Sequence, residues 1–280
     1  MKAVQMNQYG DTVQLVDLPM PEPRSEKVRV KMLAAAVNPL DETVRMGYFP
    51  LAKEPPLVLG NEGVGVVVDR GSSTLEEGLR VMFTGTYGVA QDGTWREYVE
   101  ADPEELVPVP QNIPDEIAAS VPISYLTAQL ALLTGYFTKD ETLLVPAVGG
   151  SVGNALIQLA IAQDARKVIT TAGSSKKAAK ARSLGFGNVI DLSQETLEEG
   201  VVRCTDNQGA NLVIDSVGGE MTSACLSSLA CGGRLVTLGY TAGYQSQINL
   251  LDIISKKLSV SGFNLFLQPP AKIKDAYAII

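Results

Sequence analysis

Histidine is absent from all 280 residues of the chain. No Ser-His-Asp or Cys-His relay can therefore exist, and no zinc site of the His-Glu-x-x-His kind. Cysteine is scarce as well: Cys204, Cys225 and Cys231 are the three, all in the second half, without C-x-x-C or metal-cluster spacing. They read as reduced packing residues, and since a catalytic zinc would have to rely on carboxylates, a metal-free protein is expected. Although 45% of residues are hydrophobic, none of the apolar runs approaches the roughly 18 residues that a membrane helix needs. Lys and Arg number 23 against 31 Asp and Glu, a net charge of −8. With no basic excess to displace counterions, nucleic acid is not an expected partner. Met1-Lys-Ala-Val-Gln-Met6 enters a strand pattern without the apolar core of a signal peptide, so a cytoplasmic protein, or the mature form in an organellar matrix, is expected.

The most informative segment is Leu143-Leu-Val-Pro-Ala-Val-Gly-Gly-Ser-Val-Gly153, followed by Asn154-Ala-Leu-Ile-Gln-Leu-Ala-Ile161. An apolar run that stops at glycines and restarts with helical period predicts a buried parallel strand, a tight turn and a helix N-terminus. The first N–H groups of a helix lack intrahelical partners and carry partial positive charge, which suits a dinucleotide pyrophosphate. Gly150 and Gly153 have the spacing of the second and third glycines of G-x-G-x-x-G, while Val148 stands at the first. Gly149, Gly150, Ser151, Val152 and Gly153 are the expected cradle.

The context that this motif requires is present. Strand-like Lys167–Ala172, Asn188–Asp191, Asn211–Asp215 and Arg234–Gly239 alternate with helical patterns over Lys176–Leu184 and Glu220–Ala230. Such alternation predicts a doubly wound parallel sheet. About twenty residues past the glycines, where an NAD site has a carboxylate for the ribose 2′-hydroxyl, the chain reads Thr171-Ala-Gly-Ser-Ser-Lys-Lys177. Ser174 and Lys177 suit a 2′-phosphate, so NADPH is the expected cofactor; the alternative is that the lysines are solvated surface.

The first part of the chain differs. Lys2–Tyr9, Val13–Leu18, Lys27–Val37, Val58–Asp69, Leu79–Phe83 and Trp95–Val99 read as short strands separated by Gly, Pro and acidic turns. A β-rich domain over 1–112 and a dinucleotide domain over 113–280 are expected, divided near Pro108-Val-Pro-Gln-Asn-Ile-Pro114, with a helical pattern over Asp115–Leu133.

Several tracts resemble the zinc-free branch of the medium-chain dehydrogenase/reductase superfamily, the quinone oxidoreductases and 2-enoyl thioester reductases: Ala34-Ala-Ala-Val-Asn-Pro-Leu-Asp41, Arg45-Met-Gly-Tyr48, Leu59-Gly-Asn-Glu-Gly-Val-Gly65, Ser124-Tyr-Leu-Thr-Ala128, Asp215-Ser-Val-Gly-Gly219, Leu229–Val236 and Leu258–Phe263. Where zinc alcohol dehydrogenases have Gly-His-Glu, this chain has Gly60-Asn-Glu62, so Asn61 replaces a metal ligand. Val28–Ala35, Gly60–Gly63 and Gly93-Thr-Trp-Arg96 are most similar to the enoyl reductases, and the quinone reductases share most of the rest.

The resemblance implies a GroES-like β-rich domain before a Rossmann sheet, and NADPH-dependent hydride transfer to a C=C conjugated with a carbonyl, in a 2-enoyl thioester or enone. The alternatives are an NADPH:quinone oxidoreductase and, in another class, a nucleotide-binding protein without turnover. It implies Tyr48 as proton donor or enolate anchor, although strict spacing puts Phe49 there and Thr43 stands where quinone reductases have a further tyrosine. Tyr48 is otherwise an aromatic lid. Asn38 is implied to donate to substrate or ribose, and Asp41 to line the site or tie down its loop. Thr127, Gly239, Tyr240, Thr241, Phe263 and Leu265 match cofactor-contact positions; Leu192 replaces a tyrosine that lies beside the 2′-phosphate in many quinone reductases. Relatives continue past Ile280 into a tail that returns to the first domain, so a truncated or trimmed chain is expected. Leu258–Leu265, last of the parallel series, is expected at the sheet edge and in a homodimer contact.

Overall fold

The computed structural model describes residues 1–280, the side chain of Thr84 aside. Its contacts divide the chain into two units, Met1–Ile123 and Ser124–Ile280.

The first unit contains β1 (Lys2–Met6), β2 (Gln14–Asp17), β3 (Val28–Ala35), α1 (Pro39–Arg45), β4 (Leu57–Val58), β5 (Glu62–Asp69), β6 (Arg80–Thr84), β7 (Tyr98–Ala101), β8 (Leu106–Pro108), α2 (Asp115–Ala118) and the start of α3 (Val121–Thr134). Two antiparallel sheets form, in the orders β2-β1-β4 and β7-β3-β5-β6-β8. Alternate residues of the larger sheet, among them Val28, Val30, Val67, Val81, Phe83 and Val99, bury themselves in one core, as a period of two dictates. The run that reads from sequence as one strand over Val58–Asp69 is broken into β4 and β5. Gly60 sits at φ +95°, and Trp95 and Thr94 fill the space that a side chain would need. The short helix α1, capped by Asn38 and begun by Pro39, does not follow from the apolar pattern.

Residues 113–123, which the sequence assigns to the second domain, pack with the first unit. Arg80 donates to Ile113 O (2.7 Å) and Asp115 Oδ1 (2.5 Å), and Ile123 N donates to Glu62 Oε2 (2.6 Å). The proline tract is therefore not where contacts part.

The second unit continues α3 and adds β9 (Thr142–Val145), α4 (Ser151–Ala162), β10 (Lys167–Ala172), α5 (Ser175–Ser183), β11 (Asn188–Asp191), α6 (Leu197–Thr205), β12 (Ala210–Asp215), α7 (Glu220–Ser227), β13 (Leu229–Thr237), α8 (Leu250–Lys256), β14 (Ser259–Gly262) and α9 (Pro270–Tyr277). Its six strands pair parallel in the order β11-β10-β9-β12-β13-β14. Apolar residues on both faces explain the continuous hydrophobic runs. Leu143, Val145, Leu212 and Ile214 pack with α3, α4 and α5, while Leu144, Ile169, Ile190, Val213 and Leu235 pack with α6 and α7. Cys204 and Cys225 lie in the second of these cores; Cys231 is exposed. The helix expected over Glu220–Ala230 ends at Ser227, since β13 already begins at Leu229. Among the described residues no helix is long and apolar enough to cross a membrane.

Candidate functional site

The strand order of the second unit reverses between β9 and β12, the place in a doubly wound sheet where the loops at the carboxyl ends diverge and leave a crevice. The turn Pro146–Gly150 lies there. Gly150 is the N-cap of α4, with extended backbone (φ −84°, ψ 149°) and no side chain capping the helix. The amide of Asn154 is the first to be taken up within the helix, by Gly150 O (2.9 Å), so Ser151, Val152 and Gly153 present their N–H groups ahead of it. Gly149 and Gly150 are exposed, and no described atom stands within 4 Å of a Cβ built on Gly149. Gly153 is buried, with its side-chain space closed by the carbonyls of Ala147 and Pro146. One pair of glycines thus leaves room for a ligand while the third lets helix pack on strand, and the arrangement fits a pyrophosphate.

Thr171, at the end of β10, braces this turn: its Oγ1 accepts from Ala147 N (2.9 Å) and its carbonyl from Val148 N (3.0 Å). Ser174 then caps α5 by accepting from Lys177 N (3.4 Å), and the Lys177 side chain is exposed. A residue that sequence reasoning missed, Asp191, lies beside Ala172 at the end of β11. Hydrogen bonds from Ser175 and Ser193 hold its carboxyl below the usual range. Asp191 Oδ1 accepts from both the amide (3.0 Å) and the hydroxyl (2.6 Å) of Ser193. The hydroxyl and lysine groups expected to meet a 2′-phosphate thus share their corner with a carboxylate.

The loops after β12 and β13 complete this rim. Asp215, fully buried, accepts from Val217 N, Gly218 N and Thr222 Oγ1, fixing the Ser216–Gly219 turn. A side chain on Gly239 would run into the backbone of Ser216, and Tyr240 stacks on Tyr244 at 5.2 Å. Phe263 packs on the core shared with α4, Leu265 is buried in the short helix beyond β14, and Thr127 is buried on α3.

The first unit holds a different set of groups. Asp41, third residue of α1, accepts from Asn38 N (2.7 Å) through one carboxylate oxygen and from Gly60 N (3.2 Å) through the other. It ties the loop after β4 to the helix start. Asn38 Nδ2 donates to Asn61 Oδ1 (2.9 Å) and to Glu62 Oε1 (2.8 Å), so both of its amide hydrogens are taken up within the protein rather than offered to a ligand. Asn61 and Glu62 are almost wholly buried, and Asn61 Nδ2 has no hydrogen-bond partner. Burial pushes the Glu62 carboxyl up to about 7 and the Asp41 carboxyl up to about 6, against the lowering effect of the hydrogen bonds each receives.

A cavity of about 380 Å³ opens beside this cluster, walled by Val13, Val37, Leu59 and Trp95 and edged by Asn38 and Asp41. Trp95 Nε1 donates to Ala36 O (3.0 Å), which fixes the indole in that wall. Tyr48 lies in the turn after α1, its amide on Thr43 O (3.0 Å) and its side chain 64% exposed. It is not drawn into the cluster around Asn38.

Residues 151–279 match the zinc-binding dehydrogenase family and residues 24–111 the alcohol dehydrogenase GroES-like domain. The chain is 34% identical over 262 residues to the quinone oxidoreductase of Pseudomonas aeruginosa, covering 92% of this chain and 79% of that protein. Over 269 residues it is 31% identical to the mitochondrial enoyl-[acyl-carrier-protein] reductase of Homo sapiens, covering 94% and 72%. Among solved structures, the quinone oxidoreductase of Thermus thermophilus, described also in its complex with NADPH, superposes with a TM-score of 0.84 at 32% identity, covering all of this chain and 86% of that one.

Proposed function

The chain belongs to the zinc-free branch of the medium-chain dehydrogenase/reductase superfamily, and on that premise we propose that it is an NADPH-dependent reductase acting on an electron-poor C=C, in a 2-enoyl thioester or enone. The observation that carries the reading is the uncapped start of α4 beneath two open glycines, a cradle that fits a pyrophosphate. The reduced nicotinamide, when bound, supplies the hydride.

Everything else falls to the residues of the chain. Ser151, Val152 and Gly153 hold the pyrophosphate through backbone N–H groups. Ser174 and Lys177 give hydroxyl and cationic contacts for a 2′-phosphate, and Thr171 presents no carboxylate to repel it. Thr127, Gly239, Tyr240, Phe263 and Leu265 complete the cofactor contacts. On the acceptor, hydride arrives at the carbon β to the carbonyl and the electron pair of the C=C moves onto the carbonyl oxygen. The enolate then takes a proton, and the charge it carries meanwhile must be met by donors in a site shielded from water. Tyr48 is the proposed proton donor. Asn38 and Asp41 shape the site: Asp41 holds the loop and Asn38 orders the buried amides. No metal is required in this scheme, since the chain has no histidine and offers an amide at Asn61.

Reduction of a 1,4-quinone is the second reading, favoured by the 34% identity to a quinone oxidoreductase. Oxidation of NADPH by the purified protein in the presence of crotonyl thioester or of 1,4-naphthoquinone separates the two. Binding of NADPH with turnover of neither would overturn the reductase and leave a nucleotide-binding protein.

A further inference from the structure

Arg96 is a cation to which the first unit gives no counter-charge. Its Nη2 donates to Asp92 O (3.2 Å), its Nε is buried without a partner, and among the described residues no carboxylate forms an ion pair with it. Burial pulls its guanidinium down from the ordinary range, against the raising effect of Asp92 and Glu100. A guanidinium keeps its proton even so, and the charge stays. Arg96 walls an open cavity of about 380 Å³ together with Arg24, Lys27, Lys53, Asp92 and Glu100. The two carboxylates of this wall are already engaged: Asp92 Oδ1 accepts from Val58 N (3.2 Å) and Lys53 Nζ (3.4 Å), and Glu100 Oε1 from Arg29 Nε (2.6 Å). Lys27 is paired with Asp102 (2.7 Å). Arg24 is exposed, and its side chain has no hydrogen bond or ion pair among the described residues. Two guanidiniums at one cavity thus lack carboxylate partners, in a chain whose net charge is −8. A partly buried cation without a partner is costly, and a fold retains one where an anion arrives from outside.

We propose that this cavity is an anion site, built from residues other than those of the dinucleotide turn, and that Arg96 and Arg24 hold in it a phosphate group, either free or borne on a small organic phosphomonoester. Four cations face two carboxylates in the wall, and a phosphomonoester carries about −1.5 to −2 near neutral pH, so the charges match. Its three terminal oxygens can accept from two guanidinium forks at once, whereas a carboxylate is used up by one. The volume lies within the usual range of small-molecule sites, about 300–1,000 Å³, which leaves space for an organic portion. Trp95, the residue before Arg96 and the only tryptophan of the chain, walls the other cavity, the one edged by Asn38. Occupation of the anion site is therefore felt next to a built-in fluorophore.

The test uses the whole chain without dinucleotide, at constant ionic strength, and follows Trp95 emission and Tm as inorganic phosphate, ribose 5-phosphate or chloride is added. Both phosphates are expected to change the emission saturably and to raise Tm, while chloride does neither. Tighter binding of ribose 5-phosphate identifies an organic phosphomonoester as the occupant; equal or tighter binding of inorganic phosphate identifies the free ion. Arg96→Met keeps the apolar stem and removes the charge, and Arg24→Gln removes the exposed fork. Each is expected to weaken phosphate binding about tenfold or more, the loss of one charge-assisted contact. Arg24 is exposed and unpaired, so Arg24→Gln folds in any case and decides alone should Arg96→Met not fold. A phosphate response no greater than that of chloride overturns the site. So does a response undiminished in either folded variant, which would put the phosphate elsewhere on the chain.

Discussion

A methyl group on Gly153 would stand 2.6 Å from the carbonyl oxygen of Ala147, whereas one on Gly150, three residues earlier, would meet nothing closer than the same oxygen at 3.4 Å. The two glycines therefore do different work, and alanine should separate them. Gly153→Ala is expected to cost about 1–3 kcal/mol by overpacking against backbone that cannot yield. Gly150→Ala should leave thermal unfolding nearly unchanged without ligand, yet lose most of the stabilisation that added NADPH gives, because its methyl occupies the ligand's side of the turn. Thermal scans with and without NADPH distinguish the two patterns. An unchanged NADPH shift in Gly150→Ala would remove the pyrophosphate from this turn.

Lys177→Ala is expected to weaken NADPH binding by about 1–3 kcal/mol, the range for a charge-assisted contact, with little effect on NADH. Calorimetric titration of both dinucleotides measures it. Asp191 makes the experiment sharper. If its charge, rather than Lys177 and Ser174, governs the 2′ position, the unaltered protein will bind the two dinucleotides equally, and NADPH preference is refuted.

The acidic pair in the first unit predicts a pH dependence of stability. Glu62 rises from 4.5 to about 7 and Asp41 from 3.8 to about 6 on folding, both chiefly through burial. The folded state therefore binds protons more tightly than the unfolded chain. Their contribution is whole below the ordinary carboxylate range and is lost as pH climbs through 6 and 7. The free energy of unfolding should accordingly fall between pH 5 and pH 8, on the order of 1 kcal/mol per pH unit while one group titrates, and Tm should fall with it. Glu62→Gln should flatten that slope. A stability that stays flat over the same interval would mean that the pair is solvated, and one that rises would mean that folding lowers the two carboxyls instead.

The β14 edge predicts association. The amide of Phe263 points inward to Thr237 O (2.9 Å), so by the alternation of the strand the amide of Val260 points outward, away from β13. All four residues of β14 are exposed, and Leu250, Leu251 and Ile254 of α8 are about 70% exposed beside it in sequence. A homodimer that pairs this edge with its own copy is expected. Val260→Pro should release monomers without disturbing the ladder to β13, since it removes only an outward donor. Light scattering that finds monomers of the unaltered protein at micromolar concentration would end the proposal.

What is legible in the sequence is local. The glycine turn and the alternation of strands and helices in the second unit are written in consecutive residues, and the parallel sheet follows from them. Asp191 is invisible at that level because its relevance depends on β11 lying beside β10, which brings it next to Ala172. Asn61 reads in sequence only as a replaced metal ligand. That its oxygen is taken while its nitrogen has no partner depends on Asn38, 23 residues earlier, and on the acceptor pattern of its neighbour Glu62. The helix α1 is hidden because seven residues with two buried side chains make too little pattern to detect. Tyr48 shows the converse: a resemblance in spacing singles it out, and its exposure is a matter of where the chain turns after that helix.

Thr171 has a bearing on how freely cofactor preference can drift. By holding Ala147 with its hydroxyl and Val148 with its carbonyl, it joins the turn that receives the diphosphate to the strand end that leads to Ser174. A substitution there aimed at the adenosine ribose would loosen the diphosphate turn at the same time, so exchange of one dinucleotide for the other is expected to proceed through Ser174, Lys177 or Asp191 and to leave Thr171 alone. The same brace gives the turn its shape before any ligand arrives, so little loop freedom remains to be lost on binding, and slow dissociation rather than slow entry is what such a rigid receptor favours.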